Sequence, residues 1–270
     1  MRIIALLATY NEGRFIRQCI EQLLKQGVEV YVIDNESTDV TPAVAREYFR
    51  QGVVGIETLK RRDMYSWRPI LQRKEQLADT LEADWFMHVD ADEVRLPSHP
   101  GQSLSEALDE VDRQGYNAVN FQEFTFVPTA EDPDHDHPAY LRTMRWYYPF
   151  LPAFPHRLNA WKKPAPGVRV ELAWSGGHQV RFPGLRMFPQ SFVMKHYLFL
   201  SPAHAIEKYV RKTYDPAEVA SGWHGGRARL TPQDIVLLSA SQLRHYLDDD
   251  RLDASNPETS HFLFRSLEKK

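Results

Sequence analysis

Apolar residues run without a break through positions 3–8 and then give way to Thr9-Tyr10-Asn11-Glu12. That is the pattern of a strand covered on both faces that ends in a polar loop. Phe15, Ile16, Cys19, Ile20, Leu23 and Leu24 follow at helical spacing, with Gly27 as the stop. Residues 28–33 predict a second strand ending at Asp34. Thr41-Pro42 predicts an N-cap and first-turn proline, with Gly52 closing that helix. A third strand is expected over 53–59. Pro69 opens a helix that places Ile70, Leu71, Lys74, Leu77, Ala78 and Leu81 on one side. A fourth strand over 84–89 runs straight into Asp90. Ser103-Leu104-Ser105-Glu106 reads as a capping box for a helix reaching Gly115, and 116–127 as a long strand. Strand and helix alternating with short connections predict an α/β fold with a doubly wound, mostly parallel sheet over residues 1–127.

From Pro128 onward the texture changes to closely spaced prolines and aromatics. Short strands are expected over 142–148, 168–172 and 192–200, and helices over 202–214 and 232–247, each of these two with a proline near its start. Residues 128–270 thus predict an irregular, β-rich and helical elaboration packed as one domain with the core. The last twenty residues are polar enough to fray.

Composition narrows the field. With 43% hydrophobic and 26% charged residues and a formal charge of -3, the chain is an ordinary globular one without a basic field for nucleic acid. The single Cys19 excludes an internal disulfide and fits a reducing, cytoplasmic setting. Its place on the apolar stripe of a helix marks it as packing rather than as a nucleophile. No apolar run approaches the ~18 residues a membrane span needs, which leaves only peripheral membrane contact open. Residues 3–8 are too short for a secretory leader and lack a cleavage site.

Ligands of open α/β sheets bind at the carboxyl ends of the strands. Three such ends carry polar clusters: Thr9-Tyr10-Asn11-Glu12, Asp34-Asn35-Glu36-Ser37-Thr38-Asp39 and Asp90-Ala91-Asp92-Glu93. On an extended backbone Asp90 and Asp92 would face the same side. Such a pair repels unless a cation sits with it, and hard oxygens suit Mg2+ or Mn2+. The plainer reading, one carboxylate capping a turn and the other solvated, carries equal weight from spacing alone. Neither a Gly-x-Gly-x-x-Gly nor a P-loop pattern occurs, so metal and basic side chains would have to hold any phosphate. Lys60, Arg61, Arg62, Arg68, Arg73, Lys74 and Lys195 are the candidates, each of which is also explained as a solvated surface residue.

Taken together, the three clusters in their order and spacing resemble family 2 glycosyltransferases of the GT-A fold across residues 1–127. The resemblance implies that Thr9, Asn11 and Glu12 line a nucleoside pocket and that Asp34 holds the base. Asp90 and Ala91 would then lie against the donor, Asp92 with Asp90 would ligate metal, and Arg73 or Lys74 would be the basic residue preceding the motif. Pro155-His156-Arg157, Ser175-Gly176-Gly177-His178 and Lys195-His196-Tyr197 resemble, less closely, a bacterial subgroup of that family. On that resemblance His196, and after it His178, would complete the metal shell, and Lys195 would meet diphosphate. The acidic pair that usually supplies the catalytic base is missing, which leaves Glu123 as first choice and Asp136 as second. Trp67 and Trp146 are candidates for stacking on sugar.

The expected activity is metal-dependent transfer of a sugar from a nucleotide-sugar donor to a hydroxyl of a carbohydrate or glycoconjugate acceptor, and the resemblance implies that it proceeds with inversion. Two alternatives stay open. A nucleotidyltransferase of related fold would need glycine density that Thr9-Tyr10-Asn11-Glu12-Gly13-Arg14 lacks. A degenerate, non-catalytic carbohydrate-binding homologue is disfavoured by the intact acidic cluster.

Overall fold

The structure, a computed structural model, describes residues 1–61, 64–224 and 226–264; Arg62 and the extreme carboxyl terminus lie outside the described residues. Its main elements are β1 (Ile3–Thr9), α1 (Ile16–Lys25), β2 (Glu29–Asp34), α2 (Thr41–Glu47), β3 (Val53–Thr58) and α3 (Trp67–Thr80). They continue through β4 (Trp85–Val89), β5 (Glu93–Leu96), α4 (Leu104–Arg113), β6 (Ala118–Phe126), β7 (Trp146–Phe150), β8 (Arg157–Lys162) and β9 (Phe192–Tyr197). The chain divides into two compact units. One comprises 1–61, 67–122 and 155–194; the other comprises 62–66, 123–154 and 195–270. The first unit therefore reaches beyond the expected 1–127 core and takes in Pro155–Met194.

In the first unit β3, β2, β1 and β4 are parallel neighbours, and β8 joins β4 antiparallel. Parallel strands buried on both faces need continuous apolar runs, and Ile3, Ile4, Ala5, Leu6 and Leu7 are all buried. Register does the positioning: Thr9 lies beside Asp34, Asp34 beside Thr58, and Leu7 beside Val89. The polar segments after β1, β2 and β4 therefore leave the sheet at one edge. Helix α1 buries Ile16, Cys19, Ile20 and Leu23, the face its spacing predicts. Ser103 Oγ accepts from Glu106 N at 3.2 Å and Glu106 Oε2 accepts from Ser103 N at 2.7 Å, the reciprocal cap expected for α4.

Local details differ from expectation for identifiable reasons. Thr41 is the first residue of α2 and not its cap: Val40 stands at the cap position, Asp39 Oδ1 accepts from Thr41 N at 2.9 Å, and the helix ends at Glu47. The expected strand at 142–148 divides into a single helical turn, Tyr140–Thr143, followed by β7. Around 168–172 only a bridge from Glu171 to Arg181 forms.

The second unit holds the far end of β6, paired antiparallel with β7, which in turn pairs with β10 (Arg244–His245). Its core gathers Val127, Tyr148, Phe150, Leu198, Phe199, Tyr209, Leu230 and Phe262 to Phe264. The 202–214 helix is cut to Pro202–Ala205 and a widened turn, Ile206–Val210. No helix forms over 232–247. Instead capping boxes at Thr231 and Ser239 each start a single 3-10 turn. Between them Leu238 O accepts from Ala130 N at 2.9 Å, so tertiary pairing takes the backbone group a helix would use. No helix among the described residues is long and apolar enough to cross a membrane.

Candidate active site

Asp34 closes β2 with 5% of its surface exposed. Its Oδ2 accepts from Ser37 N at 3.1 Å, while Oδ1 is buried with no hydrogen-bond partner. Thr9 Oγ1, on the neighbouring strand end, is likewise buried and unpartnered. A buried acceptor left unpaired costs about 1–3 kcal/mol, so two of them side by side are an uncommon local expense. The surrounding backbone is also strained: Asn11 and Glu36 hold φ of 55° and 59°. Non-glycine residues in that region cluster at ligand sites. Asn11 ties two loops together, its N donating to Ser37 Oγ at 2.9 Å and its Oδ1 accepting from Thr38 N at 2.8 Å. Glu12 uses its carbonyl to accept from Phe15 N and Ile16 N, both at 2.9 Å, which starts α1.

Sequence reasoning passed over Tyr10. The Arg61 guanidinium lies 3.4 Å from its ring centroid, and Arg61 N donates to Glu36 Oε2 at 2.9 Å. A half-buried aromatic face thus stands between Thr9 and Asn11. Its place in the loop after β1 was the available signal.

The acidic segment is a turn, not an extended strand: Glu93 N donates to Asp90 O at 3.2 Å. The alternation argument for Asp90 and Asp92 therefore fails, because it needs an extended backbone. Asp90 leaves 52% of its side chain exposed, whereas Ala91 and Asp92 are buried. Beneath the turn, Glu93 Oε2 accepts from Asp90 N at 3.1 Å and from Arg95 Nη2 at 2.6 Å. Arg95 is itself buried and reaches Asn159 Oδ1 at 3.3 Å; Asn159 Nδ2 donates to Gly177 O at 2.7 Å. Cys19 is buried here too, and burial pushes its thiol well above the usual value, with the carboxylates of Glu93, Asp92 and Asp90 adding to the effect. That agrees with packing rather than nucleophilic chemistry.

Arg73 and Lys74 of α3 are each engaged by another side chain. Arg73 makes a two-pronged contact with Glu57, 2.7 Å from Nε and 2.8 Å from Nη2. Lys74 is fully buried, with Nζ 2.9 Å from His88 Nδ1 and donating to Val89 O at 3.2 Å. Burial lowers its pKa to about 8, and burial together with the Lys74 charge pushes His88 well below its usual value. Lys74, with no exposed surface, cannot meet a diphosphate as placed, which corrects the expectation for that residue, while the Arg73 charge is engaged by Glu57. His178, half-buried, sits with Nδ1 3.1 Å from the Arg157 guanidinium and stacks on His156 at 5.0 Å. Among the described residues no three His, Cys, Asp or Glu side chains come together as a metal cage.

In the second unit Glu123 is completely buried. Its Oε1 accepts from Thr125 Oγ1 at 3.0 Å and from His196 Nδ1 at 2.7 Å. A carboxylate so enclosed cannot reach an acceptor hydroxyl, so Glu123 does not fit the expected base. Lys195 Nζ donates to Asp249 Oδ1 at 2.8 Å, which engages the charge expected to meet diphosphate. Asp136 is exposed in a loop, its N donating to Asp134 Oδ1 at 2.9 Å. Trp146 packs on His245 at 4.8 Å, and Trp67 lies alongside Gly176 in the first unit.

The Glycosyl transferase family 2 model matches residues 5–159, more than half the chain and all of the edge just described. The chain belongs to glycosyl transferase family 2. A search of the curated proteins returns no match. Among solved structures the chain is similar to TarS of S. aureus, at 14% identity and a TM-score of 0.43 over 81% of this chain and 41% of that one. It spans less than half the length of that protein. TarS 1–349 in complex with UDP-GlcNAc is similar at 13% identity and TM-score 0.41, covering 81% and 69% of the two chains. Glucosyl-3-phosphoglycerate synthase from Mycobacterium tuberculosis, in complex with Mn2+, UDP and phosphoglyceric acid, is 20% identical over 46% of this chain and 43% of that one, TM-score 0.32.

Proposed function

We propose that this chain moves a glycosyl group from a nucleoside-diphosphate sugar to a hydroxyl of a carbohydrate or glycoconjugate. Family membership supports the reaction class. The observation that carries the donor side is the buried, unpartnered Asp34 Oδ1 beside the unpartnered Thr9 Oγ1. A carboxylate oxygen waiting at a strand end accepts an N–H, and a nucleobase edge offers one. Tyr10 supplies an aromatic face at the same edge. The base thus docks at Asp34, and the diphosphate lies toward the acidic turn.

A divalent ion fits that turn only in part. Mg2+ and Mn2+ need one or two carboxylates, with waters and substrate phosphates filling the other positions, so an all-protein cage is not required. The exposed Asp90 carboxylate, with Asp92 beside it in the chain, would hold the ion. When bound, it supplies charge to offset the negative charge growing on the leaving diphosphate. In the transfer, the bond from the anomeric carbon to phosphate oxygen breaks as the acceptor oxygen bonds to that carbon from the opposite side. The acceptor proton passes to a base. Glu123 is better suited to hold His196 in one tautomer and orientation than to be that base.

The test is a thermal-shift and calorimetric panel of nucleoside diphosphates and their sugars, with and without Mn2+. Ligand at a hundredfold excess over Kd adds about 2.7 kcal/mol of stability. At least one diphosphate should raise the melting temperature by several degrees, and one sugar donor should be turned over or hydrolysed. A flat response to every member of the panel would overturn the proposal.

A further inference from the structure

We propose that Lys74 is a positioning residue: its buried ammonium fixes the tautomer of His88, which aims an N–H at the Asp90 carboxylate. This rests on Asp90 being a donor-side carboxylate.

The geometry leaves the imidazole little freedom. Lys74 Nζ stands 2.9 Å from His88 Nδ1 and donates to Val89 O at 3.2 Å, with no exposed surface. An ammonium has three donors and no acceptor, so Nδ1 must be the lone-pair nitrogen. The imidazole proton then belongs on Nε2, and Nε2 is the atom facing Asp90 Oδ1, 4.0 Å away. That distance exceeds a hydrogen bond, so in this state the contact is electrostatic.

Neighbouring elements hold the ring in place. A Cβ on Gly177 would lie 3.1 Å from His88 Nε2 and 2.9 Å from Leu71 Cδ2, so the Gly176-Gly177 backbone packs directly on the imidazole. Gly177 has φ +85°, a conformation that L side chains rarely adopt. Its carbonyl is held by Asn159 Nδ2 at 2.7 Å, and Arg95 Nη2 lies 3.4 Å from His88 O. The charges around Lys74 are Asp90, Glu93 and Arg95, and Arg157 acts on His88 and Asp90 as well. Among these, Glu93 is already paired with Arg95 at 2.6 Å. Lys74 and, more weakly, Arg157 are therefore the cations that offset Asp90, and Lys74 does so from beneath. Its charge reaches the exposed carboxylate through the imidazole and not by touching the donor.

The experiment uses the whole protein. Long-range proton–nitrogen spectra of the imidazoles, with His88 assigned by its loss in His88→Asn, should show the neutral Nε2–H tautomer in the wild type. Lys74→Gln keeps an N–H donor and should keep that tautomer. Lys74→Met should populate the Nδ1–H form and weaken Mn2+-dependent binding of a nucleoside diphosphate about tenfold, the size of losing one charge-assisted contact. Metal-free binding of the same nucleotide, which depends on Asp34, should not change. A wild-type His88 that is charged or protonated on Nδ1 would overturn the inference, as would an unchanged tautomer in Lys74→Met. Should Lys74→Met fail to fold, the wild-type and Lys74→Gln spectra decide. Failure of the donor reading would look different: no nucleotide binding by the wild type, whatever the tautomer.

Discussion

Replacing Asp34 separates binding from folding more cleanly than any other change at this edge. In the free protein its two oxygens have opposite effects. Oδ2 accepts from Ser37 N at 3.1 Å, a contact worth about 1 kcal/mol, while the unpartnered Oδ1 carries a desolvation cost of similar size. Asp34→Ala removes both, so the free variant should unfold within about 1 kcal/mol of the wild type. In the complex Oδ1 gains an N–H from the base. A hydrogen bond to a charged group is worth about 1.5–3 kcal/mol, so Kd for the diphosphate should rise roughly 10- to 150-fold.

Asp34→Asn sharpens the test. Ser37 N still needs an acceptor, which holds the amide oxygen at the Oδ2 position and puts the amide nitrogen where Oδ1 was. The edge then presents donors in place of an acceptor. Uridine and guanosine diphosphates, whose bases carry a ring N–H at N3 and N1, should bind the wild type better than cytidine diphosphate, whose ring N3 is an acceptor and whose only edge donor is its amino group. Asp34→Asn should narrow or invert that order. Isothermal titration with the three diphosphates reads both effects. If Asp34→Ala binds each nucleotide within twofold of the wild type, the base does not sit at Asp34.

Two further outcomes follow from local geometry. The Arg73 guanidinium holds the Glu57 carboxyl below its usual 4.5, against the opposing effect of burial. A depressed folded value means that this pair stabilises above the unfolded value and is lost as pH falls through the folded one. Unfolding stability should therefore decline on acidification below about 4.5, and Arg73→Met should flatten that slope. Because the pair is partly exposed the difference should stay below about 1 kcal/mol, and parallel curves would refute it. Gly177→Ala should cost more than Gly184→Ala in chemical denaturation. Both residues have positive φ, +85° and +81°, but only Gly177 faces close atoms, while Gly184 meets nothing within 4 Å. Backbone strain of about 1–2 kcal/mol is common to both, so equal costs would refute the packing against His88.

The first unit was legible in the sequence because its strands are buried on both faces. Continuous apolar runs ending in polar segments carry strong periodic information, and β1, β2 and β4 end within a residue of expectation. The second unit was less legible because tertiary pairing overrides local preference there. Ile235, Val236, Leu237 and Leu238 look helical after Pro232, yet Val236 is 67% exposed while Ile235, Leu237 and Leu238 pack partly on the core. The Leu238 carbonyl is bound to a residue more than a hundred positions earlier. No local pattern encodes that partner.

At the site, residue types were legible and their availability was not. Arg61, Arg73 and Lys74 were equivalent candidates as cations near a strand end. The structure separates them by partners distant in sequence: Tyr10 under Arg61, Glu57 beside Arg73, and His88 against Lys74. The same holds for carboxylates. Glu123 and Asp34 are both buried, but Glu123 is enclosed by Thr125 and His196, whereas Asp34 keeps one oxygen unpartnered. Burying an ionisable group is expensive, and a fold tolerates it where a partner compensates. A buried charge whose bonds are complete therefore serves the protein's own geometry, as Lys74 and Glu123 do. On the proposed donor reading, one left incomplete at a strand end is where a ligand would supply the missing contact, and Asp34 Oδ1 with Thr9 Oγ1 meets that description.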